Sequence, residues 1–159
     1  ILIFKLIYMN RIKTLFLMAL CAIVMVACEN GHNNDLPNNP IDNKCYKGTM
    51  VVDQNDGTSY TQDDVEVDCE LRDDKINFVM YKVKFANGMP IKLDMVVEGV
   101  DYTETEEGYE LSGDGIIPYA MGGPFEKFTI TNLTGTVTST AFTLDFMCGE
   151  YPVTYEGTK

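Results

Sequence analysis

The chain has 159 residues, 24 acidic and 12 basic, for a formal charge of −12, and it holds a single histidine. That balance excludes nucleic acid as a partner, because gripping a phosphate backbone requires a basic footprint. The length admits one domain around one hydrophobic core and leaves little room for a second.

Residues 1–8 contain no methionine and read as an upstream extension. Residues 9–27 follow with a short basic start (Arg11, Lys13) and an apolar run from Leu15 to Ala27. The run is too short for a transmembrane helix, which needs about 20 apolar residues. Its layout is that of a secretory signal, and the small Ala27 directly before Cys28 makes it resemble a bacterial lipoprotein signal. That resemblance implies an exported protein whose mature chain begins at a lipidated Cys28. It implies anchorage in the outer membrane, on the periplasmic or the cell-surface side. Without the leader, nine basic residues face all 24 acidic ones, so lipid and not surface charge must hold the protein to its membrane. One acyl chain anchors only marginally, at about 0.8 kcal/mol per buried methylene. The lipoprotein anchor that this stretch resembles carries three chains.

Residues 28–44 hold the lipidation cysteine and an Asn-rich stretch with two prolines and almost nothing to bury, the composition of a flexible tether. The only histidine, His32, lies here, away from any folded site. Of five cysteines, Cys21 leaves with the signal and Cys28 is taken by lipid. Cys45, Cys69 and Cys148 remain, enough for one disulfide at most. The absence of CxxC spacing or a Cys/His cluster gives zinc no support, and no other metal or cofactor is expected.

Residues 45–159 form the predicted domain, built from strands and turn residues. Tyr46, Gly48, Met50 and Val52 share one face of a first strand, which ends at the turn cluster Gln54-Asn55-Asp56-Gly57. Val65, Val67, Cys69 and Leu71 alternate with acids in a second. Asp73-Asp74 turns the chain into a third, Lys75 to Phe85, which is apolar on both faces. It is either covered on both sides or bulged so that its inward face switches. Ile91, Leu93, Met95 and Val97 mark the inward face of a fourth strand, and Tyr109 and Leu111 a short fifth. The longest irregular piece follows, with Ile116, Ile117, Tyr119, Met121 and Phe125 unusually apolar for a loop, so it should pack against something. Phe128 and Ile130 have the opposite parity to Leu133 and Val137, which predicts one bent strand over 126–138 with a bulge near Asn132. Strands around Phe142–Phe146 and Tyr151–Tyr155 complete about eight. No segment has a helical period.

The fold class expected is therefore all-β: about eight antiparallel strands in a meander, closed into a barrel that hides its edges. A β-sandwich is the alternative, and its immunoglobulin form is disfavoured by the missing tryptophan. Several segments carry a family likeness: Tyr46-Lys47-Gly48-Thr49, Phe85 to Pro90, Gly122-Gly123-Pro124, Asn132-Leu133-Thr134-Gly135, and the ending Cys148 to Gly157. Through them residues 45–159 resemble the calycin-like, lipocalin-like β-barrel domain of Bacteroides-type lipoproteins. The resemblance implies a lipocalin-like barrel and no assigned activity. The Gly-x-Trp signature of true lipocalins is missing.

No catalytic residue is assigned. A Ser/His/Asp or Cys/His site needs a histidine in the domain, and Gly-x-Ser-x-Gly is absent. The acid pairs Asp63-Asp64 and Asp73-Asp74 and the Glu104/Glu106/Glu107 group lie in or beside predicted turns, where solvation is their ordinary role. A binding role is expected instead. Either the barrel mouth takes a small apolar or amphipathic ligand, with Ile116, Ile117, Tyr119, Met121 and Phe125 at its entrance, or the barrel is filled and the same loop docks an envelope protein.

Overall fold

A computed structural model describes residues 44–159. The expected extension, signal, lipidated Cys28 and tether up to residue 43 lie outside the described residues. Ten strands follow in order: β1 (Lys44–Asp53), β2 (Ser59–Arg72), β3 (Lys75–Val83), β4 (Leu93–Glu104), β5 (Gly108–Gly113), β6 (Tyr119–Ala120), β7 (Gly123–Pro124), β8 (Ile130–Thr138), β9 (Ala141–Cys148) and β10 (Tyr151–Thr158). A 3-10 turn, Glu126–Phe128, precedes β8. All pairings are antiparallel. β1 to β5 and β8 to β10 run up and down in sequence, and β10 pairs with β1, so eight strands close a meander barrel. The fold is consistent with the calycin-like expectation.

Four bulges decide which side chains face inward. On β2, Asp64 has φ +58° where the register with β1 shifts between Gly48 and Met50. On β3, Lys82 has φ +52°, so the inward set changes from Ile76, Phe78 and Met80 to Val83 and Phe85. Gly99 on β4 (φ +79°) and Asn132 on β8 (φ +51°) do the same, the last at the position the parity of Phe128, Ile130, Leu133 and Val137 requires. Each bulge frees backbone groups that need new partners. The buried Gln62 donates its amide to Lys82 O at 2.7 Å, and Asp114 accepts the Asn132 N–H at 3.1 Å.

Three expectations shift. β2 begins at Ser59, earlier than Val65, because its polar first half has Gln62 as its buried residue. Residues 126–128 form a 3-10 turn, not the start of a strand. Ile91 falls before β4 and is 51% exposed, whereas Leu93, Met95 and Val97 are buried as expected. On β3 both readings hold: the strand is bulged, and Val79 and Tyr81 are buried outside the main core as well.

The interior holds the buried apolar side chains of the core. Tyr46, Phe78, Phe142 and Tyr155 cluster with ring centroids 5.4 to 6.0 Å apart in successive contacts. Phe85, Phe125 and Phe128 form a second stack, at 5.7 and 4.8 Å. One rim carries the turns at 73–74, 105–107 and 139–140 and the start of β1; it is called the lower rim. The upper rim carries residues 54–58, 84–92, 114–129 and 149–150.

Candidate functional site

The upper rim owes its shape to unequal strands. β4 has twelve residues and its neighbour β5 only six, so the upper half of β4 lacks a partner from β5. The apolar loop supplies one. Tyr119 of β6 pairs with Val96 of β4, and β7 pairs back onto β6. On the other side Ile116 exchanges backbone bonds with Ile130 of β8, at 3.0 and 2.7 Å. The long irregular piece thus plugs a gap in the wall, which is why it is apolar.

The turn between β6 and β7 is tight. Met121 and Gly122 both have positive φ, +55° and +84°, the geometry of a two-residue primed turn. Asn-Gly suits such a turn; here a methionine occupies the first position, with its side chain 76% exposed. Ile91, Ile117 and Tyr119 are the other large exposed hydrophobic residues among the described ones, at 51%, 42% and 49%. All four belong to the upper-rim loops.

Between the 84–92 loop and the β6–β8 segment lies a groove of about 490 Å³. It is lined by Ala86, Gly88, Met89, Pro90, Ile91 and Leu93 from one side and by Met121, Phe125, Lys127, Phe128 and Tyr151 from the other. This is within the volume range of about 300–1,000 Å³ usual for small-molecule sites. The walls are fixed from behind. Met89 Sδ accepts the Phe85 N–H at 3.2 Å, Asn87 N–H donates to Gln54 Oε1 at 2.9 Å, and Asn55 Nδ2 donates to Glu150 O at 2.7 Å. Desolvation raises the Tyr151 hydroxyl above its ordinary pKa, helped by Glu150 beside it.

Of the expected entrance residues, Met121 and Phe125 line this groove. Ile117 and Tyr119 are exposed on the same rim outside its lining, and Ile116 is half-buried against the core. The opposite wall, Met89 to Ile91, and the residues Lys127 and Tyr151 were not anticipated. An apolar Met-Pro-Ile run inside a turn was the available signal for that wall. The parity of Ile91 with Leu93 and Met95 concealed it. Lys127 follows the loop directly in the chain, whereas Tyr151 of β10 meets it only through the barrel's closure.

A second groove of about 500 Å³ lies on the outer wall, lined by residues including Glu110, Thr134, Thr136, Thr143, Asp145, Thr154 and Glu156. The hydroxyls of Thr136 and Thr143, which line it, hydrogen-bond each other at 2.8 Å. The acid groups have local work: Asp63 accepts from Thr49, Asp64 pairs with Lys47 at 3.1 Å, and Asp73 and Asp74, both at positive φ, form the β2–β3 turn. Among the described residues no group of three His, Cys, Asp or Glu side chains is placed to hold a metal ion. Cys45, Cys69 and Cys148 form no disulfide. Cys148 is fully buried with its thiol 3.8 Å from Phe128 O, and burial raises its pKa. Comparison with family models, curated proteins and solved structures finds no match.

Proposed function

We propose that this chain is an envelope lipoprotein, anchored through Cys28 to the outer membrane of a Bacteroides-type bacterium, whose upper-rim groove binds a small apolar or amphipathic molecule. The observation that carries the binding reading is the placement of exposed apolar surface. Ile91, Ile117, Tyr119 and Met121 are all on one rim, two of them in the lining of an apolar groove. Large exposed hydrophobics cost solubility, and their concentration on one rim, beside and within a groove, marks a contact surface. The many large side chains packed into the interior support a ligand at the rim over one in a central chamber. The anchor rests on the sequence of residues 9–28.

Docking of an envelope protein is the second reading, favoured by one feature: Ile117 and Tyr119 extend the apolar surface beyond the groove. Titration of the mature protein with the neutral fluorescent probe N-phenyl-1-naphthylamine separates the two. Saturable binding that is weakened severalfold by Ile91→Ser and Met121→Ser supports the ligand site. Binding that ignores both substitutions overturns it. The anchor has its own test: Cys28→Ala releases the protein from membranes, and continued attachment refutes that part.

A further inference from the structure

The groove contains one charge, and it is positive. Lys127 is the only ionisable Lys, Arg, Asp or Glu in the lining. Its Nζ lies 5.7 Å from the centroid of the Phe128 ring, so the ammonium is held against an aromatic wall. Lys127 makes no ion pair among the described residues, and neither do Lys82, Lys84, Lys92 and Lys159; what sets Lys127 apart from these is its place in the groove lining. Glu126, its neighbour in the 3-10 turn, and Glu150, which stands beside the Tyr151 hydroxyl, do not line the groove. The chain has twice as many acids as bases, so its overall field repels anions. Lys127 is a local exception to that field, placed where an apolar ligand would lie.

We infer that the occupant is an amphiphile with an anionic head: Lys127 takes a carboxylate, sulfate or phosphate group, and the apolar body lies along Met89, Ile91, Met121 and Phe125. The inference rests on the reading of the groove as a small-molecule site and adds the charge of the ligand to it. A cationic amphiphile is favoured by the protein's net charge but opposed at this site. Preference for an anion therefore reports Lys127 and not the general field.

Calorimetric titration of the mature protein with decanoate, decanol and decyltrimethylammonium, all below their micellar concentrations, tests this. Decanoate is expected to bind about tenfold more tightly than decanol, the size of one charge-assisted hydrogen bond. Lys127→Gln removes the difference, and Lys127→Glu turns the preference toward the cation. The side chain is exposed, so neither change disturbs the fold, which far-UV circular dichroism verifies. Equal binding of decanoate and decanol, or an anion preference that survives Lys127→Glu, overturns the inference while leaving the groove site standing. Failure of all three alkyl probes to bind overturns the site itself, and the inference with it.

Discussion

Tyr155 shows how single residues set the barrel's interior. Gly48 of β1 faces Gly157 of β10 and Val65 of β2 in one row across three strands. A Cβ on Gly157 would come 2.3 Å from the Tyr155 hydroxyl, so the glycine makes room for that ring. The hydroxyl then donates to Val65 O at 3.1 Å, beside the β2 bulge. Tyr46 crosses the interior in a similar way and donates to Thr138 O at 2.7 Å. Tyr155→Phe strands a buried carbonyl, and urea unfolding should show a loss of about 1–3 kcal/mol. Burial raises the pKa of both phenols above the ordinary 10.0, with Cys69 adding to the effect on Tyr46, and Cys45 and Glu66 to that on Tyr155. The neutral form is thus the folded form. The stabilisation is complete below the unfolded value and is lost as pH rises above it. Unfolding midpoints should fall above about pH 10, and less steeply in Tyr46→Phe; an equal slope in that variant refutes the assignment.

Elements are controlled by bulges, turns and close approaches. A Cβ at Gly48 would meet the backbone carbonyl oxygen of Glu156 at 1.9 Å, at the seam where β1 and β10 close the barrel. Gly48→Ala must open that seam. A loss of more than about 3 kcal/mol, beyond ordinary overpacking, is expected in thermal or urea unfolding. The β6–β7 turn gives the opposite case. Met121 sits at φ +55°, where asparagine is tolerated and methionine is strained, so Met121→Asn should stabilise the protein by up to about 1 kcal/mol. The same change removes an exposed apolar side chain from the groove and should weaken apolar ligands. Stability and binding moving in opposite directions identifies Met121 as a contact residue; a loss of stability would show that its side chain supports the hairpin. Of these devices, the Asn132 bulge was legible as a parity switch in Phe128, Ile130, Leu133 and Val137. The bulge at Asp64 was not, because polar neighbours there leave no run of apolar residues to break; at Gly99 the only sign was a single apolar residue, Val100, out of phase with Leu93, Met95 and Val97.

At the scale of the molecule, the apolar side chains divide into a sealed interior and one apolar rim. Phe142 contacts Tyr46, Phe78 and Tyr155, and Phe142→Ala should cost about 3–5 kcal/mol through the cavity left behind. Ile117→Ser and Ile91→Ser, at exposed positions, should change stability by no more than about 0.5 kcal/mol. That contrast, read by equilibrium unfolding of the three variants, separates residues kept for the core from residues available for contact. Comparable losses at Ile91 and Phe142 would show that the rim is structural.

The amino-acid sequence by itself determined the all-β class, the eight barrel strands and the apolar character of the 116–125 loop. These follow from local periodicity and turn chemistry, which act within a few residues. Of the inward-face switches, the one at Asn132 was written in the parity of the sequence, while the one at Asp64 and the purpose of the loop were decided by tertiary structure. The loop completes a wall that β5 is too short to finish, and that is visible only when β4 and β8 stand side by side. Tertiary structure also decided the groove, because Met89 and Ile91, the stretch from Met121 to Lys127, and Tyr151 come from separate parts of the chain that meet only once the barrel has closed.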